Sequence, residues 1–412
     1  MDFLLGPQAL EWVVLLALAA LAGHLVQRFA GLPKIIGYAA VGMLTGWLGF
    51  AGAAWPLTGV GLFLLELGIA VMLYEAGARL SLRWFRHNPM VLVQSLTESL
   101  LTFAVAWLAL RALGLSVSVV RALSVIAVAA SPTVLMRVTH DLRAAGPVSD
   151  RALTLATLNT LYALTLGTAM LQTIDRGGNT LLASITSSAM VLGVSLLCGA
   201  VLAALLLGAL RMLHPASQDT AIVVLALLAL CTGVTAPLGG SAPLAALLGG
   251  LLIKHVRPQP WIWPRQLGTA ASMLNILMFV LVACTAAQTG WSAAAAWAAL
   301  VLIAARLLAK LLSLMGASFG SGMSLGKSFL VGVAMLPMSS VALLLTSHFV
   351  AASHTIGAQV AAIALPMILM TELLGAVLAA LALYRAGEAY RPRRGASSAF
   401  APVRPDSEDT RP

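Results

Sequence analysis

From residue 8 to residue 386 the sequence supplies one apolar stretch after another, each near the ~20 residues that cross a hydrocarbon bilayer. A chain built this way has few folds open to it. Its backbone polar groups must be satisfied within each segment, so the segments are helices. About thirteen are read, at 8–30, 33–51, 57–83, 89–113, 116–140, 149–174, 181–213, 218–236, 240–256, 265–289, 291–318, 325–350 and 357–386. Only 9% of the residues are charged, where soluble domains carry about 25%. A soluble protein of this composition would have no surface to offer water; lipid is the solvent here.

Charge gives an independent test of the count. With thirteen spans and the N-terminus outside, thirteen basic residues fall on the inner side. They run from Arg28, Lys34, Arg79, Arg83 and Arg86 through Arg137, Arg143, Arg151 and Arg211 to Lys254, Arg257, Arg265 and Lys327. The outer side holds Arg111, Arg121 and Arg176. An even count or the reverse orientation would break this positive-inside pattern. The expected setting is a bacterial inner membrane, with the C-terminus cytoplasmic. The N-terminus, Met1-Asp2-Phe3, lacks the basic start of a signal peptide, so the first helix is expected to be retained.

The net charge of +10 does not indicate nucleic acid, because the basic residues form no aromatic-interleaved face. Cys198, Cys231 and Cys284 lie in apolar runs with no metal spacing, and His24, His348 and His354 are scattered. No Ser/His/Asp set, phosphate loop or paired catalytic carboxylates occur. Neither an enzyme nor a cofactor is expected. Residues 1–386 form the transmembrane domain. Residues 387–412, with Arg391, Arg393 and Arg394, have the composition of a short, disordered basic tail.

A weak repeat recurs at an offset of about 205 to 210 residues. Val128-Ala129-Ala130-Ser131-Pro132-Thr133 in span 5 matches Val333-Ala334-Met335-Leu336-Pro337-Met338 in span 12. Leu32-Pro33 with Gly42 and Gly46 matches Ala242-Pro243 with Gly249-Gly250. Spans 1–6 and 8–13 then form two inverted six-helix repeats around span 7, a transporter signature. Each mid-span proline removes a backbone donor and frees a carbonyl. Ser131, Pro132 and Thr133, and Pro337 with Ser339 and Ser340, place hydroxyls beside these breaks. Two crossing breaks would offer oxygens to a small dehydrated cation; the plain alternative is a pair of packed proline kinks.

Ionisable residues inside spans are costly and mark functional candidates. Arg306 and Lys310 share one face of span 11 at i,i+4. They need anions or a wet cavity, unless Lys310 snorkels to the interface. Glu75, Glu98, Lys310 and the pair Asn159-Thr160 share a layer roughly 12 to 17 Å from the inner end, at ~1.5 Å per residue. Glu372 sits near the middle of span 13, and Glu66 lies nearer the outside. A carboxylate beside a lysine binds a cation or a proton but hardly both, which is the competition antiport needs. A fixed ion pair holding helices together is the structural alternative.

At these residues the chain resembles the sodium/proton exchanger (cation:proton antiporter) superfamily, nearest its Kef-like branch, over about residues 12 to 385. The resemblance rests on Leu21-Ala22-Gly23, Leu32-Pro33-Lys34-Ile35-Ile36-Gly37-Tyr38, Gly42 and Gly46, and on Leu65-Glu66-Leu67-Gly68 through Glu75-Ala76-Gly77-Ala78-Arg79-Leu80-Ser81-Leu82. It implies thirteen helices, a dimerisation domain, a homodimer, spans 5 and 12 unwound and crossing at the ion site, and an elevator-like movement. The transported species it implies are a monovalent cation and protons. In that family the second residue of an Asp-Asp, Asn-Asp or Gln-Asp pair in span 6 carries the ion; here the pair reads Asn159-Thr160. The basic partner in span 11 corresponds to Lys310 or Arg306, with Lys310 better spaced from Gly332. The acid often found in span 12 is replaced by Ser339. Either the carboxylate role has moved, to Glu75 first and then to Glu372 or Glu98, or the coupling differs. The rivals are a transporter of another solute or without proton coupling, and a non-transporting membrane sensor or scaffold.

Overall fold

The computed structural model describes residues 7–49, 59–175, 181–214, 217–257, 265–288, 292–338 and 340–389. Ser339 and most of the basic tail lie outside the described residues. The helices are α1 (Pro7–Leu25), α2 (Lys34–Trp47), α3 (Gly59–Arg79), α4 (Leu82–His87), α5 (Pro89–Ala112), α6 (Val117–Val128), α7 (Pro132–Leu142), α8 (Pro147–Asp175) and α9 (Leu181–Met212). They continue with α10 (Gln218–Thr235), α11 (Ala242–Val256), α12 (Arg265–Gln288), α13 (Ala293–Gly316), α14 (Ser318–Ser321), α15 (Leu325–Ala334), α16 (Ser340–Ala352) and α17 (His354–Arg385). A π turn at Val26–Ala30 extends α1. No strand occurs among the described residues. This is a polytopic α-helical membrane protein.

Each expected span coincides with one helix or, at spans 5 and 12, with a broken pair: α6/α7 and α15/α16. Among the described residues, seven helical stretches are long and apolar enough to cross a bilayer on those grounds alone. Of the others, α2 and α11 are short, at 14 and 15 residues, and α8 is polar for a physical reason. A helix wrapped by other helices need not be apolar all round, and α8 buries Ser149, Thr154, Thr157, Asn159, Thr160 and Thr165. By contrast, the lipid-facing helix α9 leaves Leu182 71% and Leu197 64% exposed.

The packing obeys the repeat. Exchanging α1, α2, α3, α5, α6, α7 and α8 with α10, α11, α12, α13, α15, α16 and α17 turns packed pairs into packed pairs. Thus α2 on α12 matches α11 on α3, α5 on α6 matches α13 on α15, and α7 on α8 matches α16 on α17. Seven crossings separate matching helices, so they run in opposite directions. Two bundles result: α1–α3 with α9–α12 form one, and α5–α8 with α13 and α15–α17 form the other. The bundles meet mainly where α2, α3 and α12 touch α7, α16 and α17, and where α8 joins α9.

Small residues bring the tightest helix pairs together, as in membranes generally. A Cβ at Gly42 of α2 would stand 2.5 Å from the Val280 carbonyl oxygen of α12. In the matching pair, a Cβ at Gly250 of α11 would collide with the Tyr74 carbonyl of α3. The obstacle is backbone and cannot rotate away. Gly250→Val is therefore expected to destabilise the protein by about 1–3 kcal/mol or more. Thermal unfolding in detergent would check this, and an unchanged transition would contradict the close approach.

Candidate ion and proton site

The two broken spans meet at their breaks. The Ser131 amide, at the start of α7, donates to the Pro337 carbonyl at 3.1 Å. Ser131 also caps α7, its Oγ accepting from the Val134 amide at 3.1 Å. Its Oγ lies 2.9 Å from Thr133 Oγ1. Pro132 occupies the first helical turn of α7, where its missing N–H costs nothing. Ser340 opens α16 and is buried.

Four half-helix ends thus gather at mid-span, and the C-terminal ends of α6 and α15 carry unpaired carbonyls. Arg306 of α13, fully buried, meets them. Its Nε donates to the Ala127 oxygen at 2.7 Å, its Nη2 to Ala129 at 2.7 Å and its Nη1 to Leu336 at 3.1 Å. Each helix C-terminus presents roughly −0.5 elementary charge. Two such ends offset one guanidinium, so Arg306 needs no carboxylate. Thr160 takes another freed carbonyl, its Oγ1 lying 2.8 Å from both the Ala130 and the Ala156 oxygens. The break carbonyls expected to face a cation thus already accept hydrogen bonds from the protein.

The charged centre lies one turn of α13 away. Lys310 Nζ stands 2.5 Å from Glu98 Oε1 of α5, and both side chains are 0% exposed. Lys310 therefore does not snorkel to the interface. Thr102 Oγ1 donates to the same carboxylate oxygen at 2.9 Å, and Asn159 Nδ2 donates to Oε2. Ser99 Oγ donates to Asn159 Oδ1 at 3.0 Å, which fixes the amide's orientation. Glu98, Lys310 and Asn159 join α5, α13 and α8 into one buried polar network.

A line of further polar groups runs from this network along α5 toward the basic side. Ser95 Oγ lies 3.4 Å from Tyr162 Oη, and Arg151 donates to Gln94 Oε1 at 3.1 Å. None of Gln94, Ser95, Ser99, Thr102, Arg151 and Tyr162 was singled out from the sequence as a site residue. The signal was present: Gln94, Ser95, Glu98, Ser99 and Thr102 recur at i,i+3 and i,i+4 and so share one face of a helix whose other face is apolar.

The remaining carboxylates stand apart. Glu75, the first choice to replace the missing acid, pairs at 2.6 Å with Arg79 one turn along its own helix, with Arg79 55% exposed. It makes no hydrogen bond or ion pair with Lys310. Glu66 of α3 meets His348 of α16 at 3.2 Å, across the two bundles. Glu372 of α17 is fully buried, and among the described residues neither carboxylate oxygen has a hydrogen-bond partner. Among the described residues no group of three His, Cys, Asp or Glu side chains has metal-site spacing.

Residues 13–383 match the family profile described as sodium/hydrogen exchanger, transmembrane. Two solved structures share the fold, both of the sodium proton antiporter MjNhaP1 from Methanocaldococcus jannaschii. The structure at pH 8 gives a TM-score of 0.71 at 16% identity, covering 92% of this chain and 99% of that one. The electron-microscopy structure gives 0.70 at 17% identity, covering 93% and 99%. No curated protein matches by sequence.

Proposed function

This chain belongs to the sodium/hydrogen exchanger family, and we propose that it exchanges a monovalent cation, Na⁺ or K⁺, for protons across the membrane. The observation that carries the reading is the Glu98–Lys310 pair buried beside the crossed breaks. Glu98 supplies the carboxylate that Asn159-Thr160 lacks. A dehydrated cation and the Lys310 ammonium compete for Glu98 Oε1. When the cation takes that oxygen, Lys310 gives one proton to water and its nitrogen keeps the electron pair. One positive charge enters the site as one leaves it, so this step is electroneutral. Asn159 and Thr102 hold the carboxylate in place through the exchange. The polar line through Ser95, Tyr162, Gln94 and Arg151 gives the ion a path to the basic side.

The setting follows the charge distribution: an inner membrane, N-terminus outside, C-terminus cytoplasmic. The residue patterns of the first three spans, taken together, support a place in the Kef-like branch, and the family resemblance supports a homodimer in which the α5–α8, α13 and α15–α17 bundle moves against the other.

A second reading has one observation in its favour. Lys310 and Glu98 are fully buried and in direct contact, which suits a permanent lock in a non-transporting scaffold as well as an occluded exchanger. Purified protein in proteoliposomes with a pH-sensitive dye inside separates the two. With a pH gradient imposed, addition of Na⁺, K⁺ or Li⁺ is expected to dissipate it in a saturable way with at least one of them. No response to any of the three, in protein shown to be folded, would defeat the exchange reading and leave the lock or a transporter of another solute.

A further inference from the structure

One buried titratable group takes no part in the exchange step above. Glu372 lies inside α17, fully buried, and among the described residues neither carboxylate oxygen has a hydrogen-bond donor. Its neighbour Thr371 donates to its own helix, to the Met367 oxygen at 2.8 Å. Among the described residues, no charged group on the helices packed against α17 pairs with Glu372. Arg306 serves the break carbonyls, Lys310 serves Glu98, and His348 meets Glu66. Arg137 of α7 lies 3.6 Å from Asp141, and Lys327 of α15 and Arg121 of α6 are exposed. On α2, Tyr38 takes a hydrogen bond from Arg137, and Lys34 is partly exposed.

In the closed arrangement described here, a carboxylate anion with neither donor nor counter-charge among the described residues cannot repay its desolvation; the same group as a neutral acid can stay. Its position is not remote from transport. Gly375 lies three residues on, on the same helix face, and a Cβ there would stand 2.8 Å from Pro337 Cα at the break of span 12. Glu372 therefore sits about one turn from the element expected to rearrange when the ion site opens.

We propose that Glu372 is a second proton-carrying carboxyl of the exchanger, buried with its proton and releasing it to water when the break beside it opens. This rests on the exchange proposed above. The O–H bond breaks, the electron pair stays on the carboxylate, and water takes the proton. Together with the proton from Lys310, two protons then leave for each cation, and the cycle moves net charge.

Two measurements test it. In proteoliposomes, a cation jump recorded electrically is expected to move charge with the wild type. Glu372→Gln is expected to exchange without net charge, at half the number of protons per cation, a twofold fall. An unchanged charge and ratio would overturn the proposal. Infrared spectroscopy of the resting protein is expected to show a protonated-carboxyl band that Glu372→Gln removes and that shrinks when the cation is added. A spectrum that the substitution leaves unaltered would also overturn it, whatever the transport result. If Gln does not fold, Met has similar length and leaves no polar atom to satisfy. Flux absent from the wild type with every cation, with the band intact, would instead defeat the exchange reading and the carrier role with it.

Discussion

Glu98→Gln is expected to stop cation-driven proton flux and to lower thermal stability together. The substitution keeps the shape and removes the charge that faces Lys310 at 2.5 Å inside a fully buried site. It also places an amide donor or a weaker acceptor against Asn159 Nδ2, whose own orientation is fixed by Ser99. Removing one partner of a buried pair costs about 3–5 kcal/mol, because the other is left without compensation. The informative companion is Glu98→Gln with Lys310→Met. Replacing both partners removes the uncompensated charge, so most of the stability is expected to return while flux stays at zero. Melting in detergent and dye-reported flux would be read on the same preparations. A single Glu98→Gln variant with wild-type flux would end the assignment of the ion-binding carboxylate to this residue.

That assignment was only partly legible in the sequence. Depth was: Glu75, Glu98, Asn159 and Lys310 can be placed in one layer by counting residues from the helix ends. Direction was not. A residue count along a single span says nothing about which helix faces which, so Glu75 and Glu98 look equivalent until α5 is seen against α8 and α13. Glu75 turns to Arg79 at the surface, and Glu98 turns to Asn159 and Lys310. The polar spacing along α5 held the azimuth, since an apolar helix has no reason to repeat Gln94, Ser95, Glu98, Ser99 and Thr102 on one face unless that face meets protein. The spans themselves were legible because lipid imposes a length on each. The breaks were legible because proline and hydroxyls interrupt the apolar pattern at repeat-related positions. What crosses the breaks was not, because Arg306 lies 177 residues from Ala129 in the chain, and no local rule spans that distance.

Arg306→Met is expected to be the more damaging change for folding, and for a reason unlike that at Glu98. The guanidinium satisfies three carbonyls, at Ala127, Ala129 and Leu336, on two helix ends that belong to different halves of the repeat. Methionine leaves all three as buried acceptors without a donor, at about 1–3 kcal/mol each. It also leaves two helix C-termini facing each other with no positive charge between them. No single second substitution can restore balance, because the partners are backbone. Lys310→Met, which is expected to rescue Glu98→Gln, is therefore expected to do nothing here. Arg306→Lys keeps the charge but replaces a planar fork with a compact ammonium that cannot reach three carbonyls at once. It should fold with reduced stability and slow the exchange. Fluorescence-detected gel filtration after heating would rank the three proteins as wild type, Arg306→Lys, Arg306→Met. An Arg306→Met protein as heat-resistant as the wild type would mean that the crossing is held by the Ser131–Pro337 bond and helix packing, with the arginine free for transport itself.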